Sequence, residues 1–365
     1  MTDHPPYRVP SMAEIRALEP NGFVVASTFS GCGGSSLGYR IAGFRVAYAN
    51  EFIPEARKTY AENAADYTYV DGRDIREVTA KDVLERIGLK PGQLDLFDGS
   101  PPCASFSTSG SQSKGWGGVK KYSDSSQRTD DLFFEYLRLL DGIRPKTFVA
   151  ENVAGLVRGV AVGYFNEILS RSKALGYRVA ARLLDAQWLG VPQQRTRIIF
   201  VGVREDLGLE PAHPEPFDFR YTLGDACPWM VDDSIVAPEP RDGPDISRYA
   251  IGPEWEKCRE GEQSDRYFNL IRASRTKPSP TILASHGAPG IAGVCHPTEK
   301  RKFSIPEVRR ICSFPDDFAL TGSREQQWER MGRAVPPLMM WAIAATVRDR
   351  VLIPYRELRE ARKAK

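Results

Sequence analysis

The 365-residue chain combines 41% hydrophobic with 27% charged residues, a composition typical of a globular protein that buries a large core. No apolar run approaches the roughly 18 residues that a membrane helix needs, and the first residues lack a signal-peptide pattern. The net charge of +3 is too small to identify a polyanionic partner. Six cysteines without C-x-x-C spacing argue against a metal site or disulfide framework and predict a reducing, cytoplasmic compartment.

Strand and helix patterns alternate through the first 204 residues. The apolar segments of strand length lie at 23–28, 45–49, 94–97, 147–150, 178–184 and 198–203. Between them apolar residues recur at helical spacing, most clearly over 80–87, 132–143 and 165–175. Ser35 is expected to cap the first helix after the first strand. The alternation predicts an α/β fold with a mostly parallel sheet and helices on both faces.

The pattern changes after Glu205. Residues 205–299 hold 12 of the 27 prolines and few periodic segments, which predicts a separate, irregular domain. Helical patterns return and end with an apolar helix at 337–352, and the residues after Tyr355 are expected to form a frayed basic tail. The expected domains are a catalytic and cofactor-binding part at 1–204, a second domain at 205–299, and a return to the first domain at 300–365.

A cysteine follows two prolines where the 94–97 strand ends. The backbone of Ser100-Pro101-Pro102-Cys103 is stiff, because proline restricts both itself and the residue before it. The segment 104–127 is rich in Gly, Ser and Lys and suits a mobile flap. A fixed thiol beneath such a flap is typical of a nucleophile whose substrate must be enclosed. By itself the P-P-C pattern fits a buried turn cysteine equally well.

Glycine-rich or acidic residues follow three strand segments in a row. Phe29–Gly34 comes after the first, Glu51 ends the second and Asp74 ends the third. Glycines let a ligand approach the backbone, and an acid at a strand end can hold ribose hydroxyls or an adenine amino group. The turn differs from G-x-G-x-x-G and has no Walker-type lysine. The segment that Asp74 ends lies between the 45–49 strand and the 80–87 helix. The three segment ends together predict an adenosine-containing cofactor.

Further charged residues are expected at the same edge of the sheet as Cys103. Glu151 ends the 147–150 strand, where a carboxyl group could protonate or hydrogen-bond an electron-poor ring. Arg195 and Arg197 enter the last strand at alternate positions and should share a face. Two guanidinium groups there suit a phosphate and a carbonyl oxygen.

The chain resembles the DNA (cytosine-5) methyltransferases, over about residues 23–347. The matching segments, in the order of the family, are F-S-G-C-G-G, the strand ends at Glu51 and Asp74, S-P-P-C with F-S, R-T-D-D-L-F-F-E-Y, E-N-V, Q-Q-R-T-R, R-R-I-C-S-F-P-D-D-F and G-R-A-V-P-P. The resemblance implies a Rossmann-like, S-adenosylmethionine-dependent methyltransferase sheet. It also implies that the second, smaller domain at 205–299 recognises the target sequence.

The resemblance also implies a reaction mechanism. The Cys103 thiolate would attack carbon 6 of a cytosine flipped out of double-stranded DNA, so that carbon 5 can take the methyl group of S-adenosyl-L-methionine. Glu151 would hold N3 and the amino group of the ring, and Arg197 its carbonyl oxygen. Arg195 would steer a phosphate or the flap. A free cysteine has a pKa near ~8.5, so the arginines are expected to favour the thiolate.

The resemblance also implies the residues that bind the cofactor and DNA. The expected cofactor contacts are Phe29, Gly31, Gly33, Glu51, Phe52, Asp74, Ile75, Pro101, Leu132, Arg333 and Ala334. The expected DNA contacts are Ser105, Ser107, Lys114, Lys120, Lys121 and Thr281, the last in a Thr-aliphatic pair with Ile282. No metal ligand is expected.

Two positions depart from the family pattern. Ala104 follows the nucleophile where relatives commonly have Gln, so Ser105 or Ser107 is expected to fill the space left by the flipped base. Arg333 stands where relatives usually have Asn, near the transferable methyl group. A guanidinium beside a sulfonium is unfavourable unless an anion lies between them. Either Arg333 pairs with a surface acid or a DNA phosphate, or it binds the carboxylate of carboxy-S-adenosyl-L-methionine, and the product is 5-carboxymethylcytosine.

Two other functions share most of these motifs. A tRNA cytosine-5 methyltransferase is one, although the length of the 205–299 region and the C-A-S-F-S segment fit DNA better. A non-catalytic DNA-binding relative is the other, against which Cys103, Glu151 and Arg197 argue. The expected setting is a cytoplasmic, nucleoid-associated monomer, prokaryotic or phage-encoded, without membrane contact. A cognate restriction endonuclease is a candidate partner.

Overall fold

The structure, a computed structural model, describes residues 4–102, 119–121, 126–128, 131–237, 239 and 242–363. The chain divides into two compact units. The sheet unit comprises Leu18–Leu184, Thr196–Glu215 and Met340–Lys365, and the second unit comprises Met1–Ala17, Asp185–Arg195 and Pro216–Met339. Among the described residues, no helix is long and apolar enough to span a bilayer.

The division differs from the predicted domain boundaries at both ends of the chain. Residues 300–339 and the first 17 residues group with the second unit. The Tyr7 hydroxyl donates a hydrogen bond to the Arg310 carbonyl, and the Met12 amide donates to Asp317. These partners lie some 300 positions apart, so local sequence patterns do not report them.

A seven-stranded sheet is the centre of the sheet unit, with strand order β3-β2-β1-β4-β7-β9-β8. The strands are β1 (Val24–Thr28), β2 (Arg45–Asn50), β3 (Tyr69–Asp71), β4 (Leu96–Gly99), β7 (Thr147–Val153), β8 (Tyr177–Asp185) and β9 (Thr196–Arg204). The pairs from β3 through β7 are parallel, whereas β9 runs antiparallel to β7. A separate antiparallel pair consists of β5 (Val119–Lys121) and β6 (Ser126–Arg128).

Helices connect these strands. They are α2 (Gly34–Ile41), α3 (Pro54–Asn63), α4 (Ala80–Ile87), α5 (Leu132–Ile143) and α6 (Val162–Ala174). Apolar side chains of α4, α5 and α6 pack with those of six strands in one core cluster, in which Phe97 and Tyr136 stack with ring centroids 4.8 Å apart. The predicted bounds of α4 and α5 are confirmed, because their apolar faces are continuous and their ends are marked in the sequence.

Two local predictions are wrong. Ser35 lies inside the first turn of α2, where Gly33 takes the N-cap position with a left-handed backbone and no side-chain cap. The polar residues from Arg356 to Lys363 continue as a helix rather than a frayed tail, although the helix buries none of them. The C-terminal elements are α11 (Pro337–Val347), a π-helical turn over Arg348–Leu352 and α12 (Ile353–Lys363).

The second unit is irregular, as the proline-rich sequence predicts. Its helices are α1 (Met12–Ala17), α7 (Leu223–Ala226), α8 (Ile251–Lys257), α9 (Ile305–Ile311) and α10 (Arg324–Arg333), and its strands are β10 (Ile271–Arg272) and β11 (Val294–Cys295). Ile246, Trp255 and Leu270 belong to its small apolar cluster. Buried Glu307 caps α9 and forms a two-pronged ion pair with Arg301, with both N–O distances 2.8 Å.

Candidate active site

The order of the sheet places two loops side by side. The chain runs outward from β1 through β2 to β3, whereas β4 continues to β7 on the other side, so β1 and β4 form the switch point of the sheet. Ligands of open α/β sheets bind outside the carboxyl ends of strands at such a point. Thr28 pairs with Gly99 at the ends of β1 and β4, immediately before the glycine-rich turn and the Ser100-Pro101-Pro102 turn.

The turn after β1 forms an open backbone cradle. Phe29, Gly31 and Gly33 have φ angles of 53°, 56° and 99°, in the left-handed region that Phe rarely adopts. A Cβ atom added at Gly31 would meet no atom within 4 Å, so the backbone faces free space there. The Gly31 amide donates to Oε2 of buried Glu51 at 2.7 Å. These residues fit a nucleoside cofactor that approaches the backbone closely beside a carboxylate.

The other predicted cofactor residues surround the same strand ends. Glu51 directly follows β2, and its Oε1 accepts from the Ile53 amide at 2.7 Å. Asp74 lies three residues beyond the end of β3 rather than at it, and pairs with Arg76 at 3.1 Å. Arg76 also pairs with Asp131 at 2.6 Å, which links this loop to the start of α5. Pro101, Ile75 and Leu132 are buried and Phe52 is half-buried.

Glu151 and Arg197 meet across β7 and β9. The Arg197 Nε donates to Glu151 Oε1 at 2.8 Å, and both side chains keep some exposure, 12% for the acid and 16% for the arginine. The antiparallel register pairs Val153 with Arg197, so Glu151 reaches its partner diagonally. Both residues were predicted from the sequence, and the structure brings them together.

Asn152, next to Glu151, holds the proline turn. Its side-chain amide donates to the Pro101 carbonyl at 3.1 Å, and the side chain is almost fully buried. From the sequence, a functional role was predicted only for Glu151 in the E-N-V segment. The polar residue next to Glu151 at a strand end was the available signal for a residue that fixes the turn before Cys103.

Asp98, the third residue of β4, is a further buried polar residue that was not among those predicted from the sequence. Asp98 is 1% exposed, and its carboxyl oxygens accept hydrogen bonds from Ser27 Oγ at 2.7 Å and from the Tyr39 hydroxyl at 3.1 Å. Burial raises the pKa of Asp98 to about 7; the two hydrogen bonds oppose this shift and the negative charge of Glu151 adds to it. An acid in a buried strand was the signal, because such a position usually holds an apolar residue.

Arg195 and Thr281 belong to the second unit. Arg195 is 2% exposed, and its guanidinium donates to the Gly332 carbonyl at 3.1 Å, a setting that suits a structural contact better than the expected phosphate. The Thr281 hydroxyl donates to the Gln194 carbonyl, and the Gln194 amide donates to Ser279 at 2.8 Å. The Thr-aliphatic segment is thus hydrogen-bonded to the Q-Q-R segment.

Arg333, also in the second unit, pairs with an acid of its own helix. Its guanidinium contacts Oε1 of Glu329, one turn earlier in α10, at 2.8 Å. The arginine side chain is 44% exposed. Ala334 caps the end of α10. The ion pair gives Arg333 an acidic partner, as in the first of the two alternatives, although Glu329 is only 12% exposed and is not a surface acid. It argues against a cation reserved for a carboxylated cofactor.

Several predicted residues lie outside the part of the chain that the structure describes. They are Cys103, Ala104, Ser105, Ser107 and Lys114. The backbone at Lys120 and Lys121 lies in β5, and their side chains are outside the description.

The family model for C-5 cytosine-specific DNA methylases matches residues 23–349, which is most of the chain. The chain belongs to this family. It is 29% identical over 346 residues to the type II methyltransferase M.NgoPII of Neisseria gonorrhoeae, covering 90% of this chain and 96% of that protein. It is 31% identical over 342 residues to M1.HphI of Haemophilus parahaemolyticus, covering 87% and 85%.

Solved structures support the same fold. A prophage-encoded protein of Escherichia coli, described as a DNA modification methyltransferase, superposes with a TM-score of 0.70 at 20% identity, covering 91% of this chain and all of that one. A variant of Spodoptera frugiperda DNMT2 superposes with a TM-score of 0.60 at 19% identity, covering 88% and 98%. The Rossmann-like methyltransferase fold predicted from the motifs is confirmed.

Proposed function

We propose that the protein transfers the methyl group of S-adenosyl-L-methionine to carbon 5 of cytosine in double-stranded DNA, as a type II modification enzyme. Family membership supports this class of reaction, and the names of the relatives support the type II assignment. The observation that carries the proposal is the Glu151–Arg197 pair beside the Pro101 turn, in a sheet whose switch point carries an open glycine cradle.

The chemistry explains why these residue types are needed. Carbon 5 of cytosine is a poor nucleophile until the Cys103 thiolate adds to carbon 6 and makes the ring enamine-like. Glu151 would hold the ring at N3 and its amino group, and Arg197 would bind the carbonyl oxygen where negative charge develops. Loss of the carbon 5 proton would then expel the thiol. The target base must leave the duplex for this contact.

The residues that would hold the cofactor are those of the cradle at 29–34, with Glu51 on the ribose and the loop at Asp74 on the adenine. When bound, S-adenosyl-L-methionine supplies an electrophilic methyl group on a sulfonium. Phe29, Gly31 and Glu51 would orient it, because the Gly31 and Ile53 amides fix the Glu51 carboxylate and the backbone at Phe29 and Gly31 is held in the left-handed region.

Covalent trapping tests the proposal. The protein with cofactor and double-stranded DNA containing 5-fluorocytosine is expected to give a stable protein–DNA adduct, which Cys103→Ser abolishes. Bisulfite mapping of DNA from cells that express the protein would give the target sequence, and a matched tRNA substrate would test the tRNA alternative. Failure to trap on any DNA, with retained DNA binding, would instead favour a non-catalytic binding protein.

A cognate restriction endonuclease is proposed as the functional partner, because the relatives are named type II methyltransferases. The mapped sequence tests this directly. A nuclease encoded beside the protein should cut the same sequence when it is unmethylated and leave it intact after treatment with this protein.

Transfer of a carboxymethyl group is the second candidate, resting on Arg333 in place of the usual Asn. The ion pair with Glu329 favours methyl transfer, because the guanidinium already has an anionic partner. Incubation with each donor, followed by mass spectrometry of nucleosides, is expected to yield 5-methylcytosine alone. Detection of 5-carboxymethylcytosine would reverse this choice.

A further inference from the structure

A chain of hydrogen bonds connects a buried acid to the cofactor cradle. Ser30, in the cradle, donates from Oγ to Ser27 Oγ at 3.1 Å, and Ser27 donates to Asp98 Oδ2 at 2.7 Å. The other oxygen of Asp98 accepts from Tyr39, whose helix begins directly after the cradle. Asp98 therefore lies beneath the turn at 29–34 and, along β4, two residues before Ser100.

The surroundings of Asp98 contain acids and phenols. Besides Ser27 of β1, the groups that interact with it are Tyr39 of α2, Tyr60 of α3, Tyr136 of α5 and Glu151 of β7. Burial, together with the charge of Glu151 and against the hydrogen bonds from Ser27 and Tyr39, raises its pKa to about 7. A cation bound nearby would favour the ionised carboxylate strongly, since charges interact more strongly in a poorly solvated interior.

We propose that Asp98 distinguishes the cationic cofactor from its neutral product, releasing a proton to the solvent when S-adenosyl-L-methionine binds and taking one up when S-adenosylhomocysteine remains. This inference rests on the proposed function. Binding converts the carboxyl group into a carboxylate and one free proton. Transfer of the methyl group removes the positive charge of the sulfonium, so the carboxylate loses its attraction for the ligand and is reprotonated from the solvent. The cycle favours entry of the cofactor and departure of the product.

The ratio of the two affinities is the sharpest measure of this coupling. The cofactor and its product share the same amino, carboxylate and adenosine groups, so the titrations of these ligand groups cancel in the ratio. If cofactor binding lowers the pKa of Asp98 by about one unit, the preference for the cofactor over the product rises about fivefold between pH 6 and pH 8. The affinity ratio rises with pH because at low pH the cofactor can bind tightly only if Asp98 first releases its proton. This release weakens cofactor binding at low pH.

Isothermal titration calorimetry of the intact protein measures both quantities. In two buffers with different ionisation enthalpies, cofactor binding at pH 6.5 is expected to release about half a proton more than product binding. This measurement needs no variant. Equal proton release for the two ligands would overturn the inference.

Variants then assign the proton to Asp98. Asp98→Asn should make the affinity ratio independent of pH, because the amide carries no titrating proton. Asp71→Asn is the matched control, since Asp71 is a buried acid at the end of β3 whose pKa is held low, despite burial, by hydrogen bonds from Arg73. The control should retain the fivefold change. A pH-dependent ratio in Asp98→Asn would overturn the assignment.

The result separates this inference from the proposed function. A protein that binds both ligands with a constant ratio keeps its methyltransferase function and loses only the role of Asp98. A protein that binds neither ligand at any pH contradicts the proposed function and this inference together.

Discussion

Arg197 donates a hydrogen bond from Nε to Glu151 across two antiparallel strands, and the two groups are 2.8 Å apart. The sheet holds both ends of this pair in register, so the acid and the guanidinium form one preorganised unit. A preorganised polar pair of this kind costs little rearrangement when charge develops on a bound ring. The first prediction follows from this geometry.

Glu151→Gln is expected to lower the rate of methyl transfer at least about a hundredfold and to leave cofactor affinity within about twofold. The amide can still contact Arg197, but it cannot exchange a proton with the ring. Single-turnover kinetics and calorimetry check the two values. Glu167→Gln is the matched control, because Glu167 pairs with Arg171 on the exposed surface of α6 at 2.6 Å. Equal rates for the two variants would contradict the role of Glu151.

Gly31→Ala is expected to weaken cofactor binding more than tenfold. The new methyl group meets no protein atom, so it projects into the free space of the cradle. The left-handed φ of 56° also costs about 1–2 kcal/mol of stability. Gly88→Ala has the same kind of φ, 68°, and equally free space at the end of α4. Calorimetry should show normal binding for Gly88→Ala; loss of binding in both variants would point to strain alone.

Gly99→Ala is expected to destabilise the sheet unit by about 1–3 kcal/mol. Its Cβ would lie 2.6 Å from the ring of Tyr136 and 2.8 Å from Thr28 Oγ1, and that ring is held by hydrogen bonds to two backbone carbonyls. Urea unfolding measures the change. Gly163→Ala, in α6 with free space around it, should leave stability unchanged or raise it. If Gly99→Ala left the free energy of unfolding unchanged, the stacked rings would have to be able to shift.

Asp98 should make the ligand-free protein lose stability as pH rises. Its native pKa of about 7 lies above the ~3.9 of an unfolded Asp, so the native state binds this proton more tightly. The stabilisation of the native state by the Asp98 proton is complete below about pH 4 and is lost as pH rises to about 7. The unfolding free energy of the natural protein, compared with that of Asp98→Asn, should therefore fall over this range and then level off. Urea unfolding at pH 4.5 to 8 checks the sign; a rising difference would contradict it.

Arg333→Asn is expected to leave the transferred group unchanged and to cost at most about 0.5 kcal/mol, the value of an exposed helical ion pair. Glu329→Gln breaks the same pair from the other side and also removes the 3.7 Å contact between Glu329 and buried Arg330, so it should cost more stability while leaving the transferred group unchanged. Mass spectrometry of nucleosides reports the transferred group, and thermal unfolding reports stability. A change of donor preference in either variant would reveal that the pair contacts the cofactor.

The sequence alone predicted the α/β architecture, the bounds of α4 and α5, and the residues Glu51, Glu151 and Arg197. These depend on local information, because apolar periodicity defines an element and the residue after a strand lies at the edge of the sheet. The ordered motifs were sufficient to identify the family. The prediction that Ser35 caps α2 was wrong because two residues could begin the helix. Gly33 occupies the N-cap position instead, in a backbone conformation that a side chain disfavours.

Only the tertiary structure decided which partners the charged and polar groups have. Arg333 pairs within its own helix, Arg195 is buried against Gly332, and the first 17 residues group with the second unit. Burial and the charge of its neighbour Glu151 raise the pKa of Asp98 to about 7. A carboxyl group has the same chemistry everywhere in a sequence. Its proton affinity depends on solvent, charge and hydrogen bonds supplied by distant segments, which exist together only in the fold.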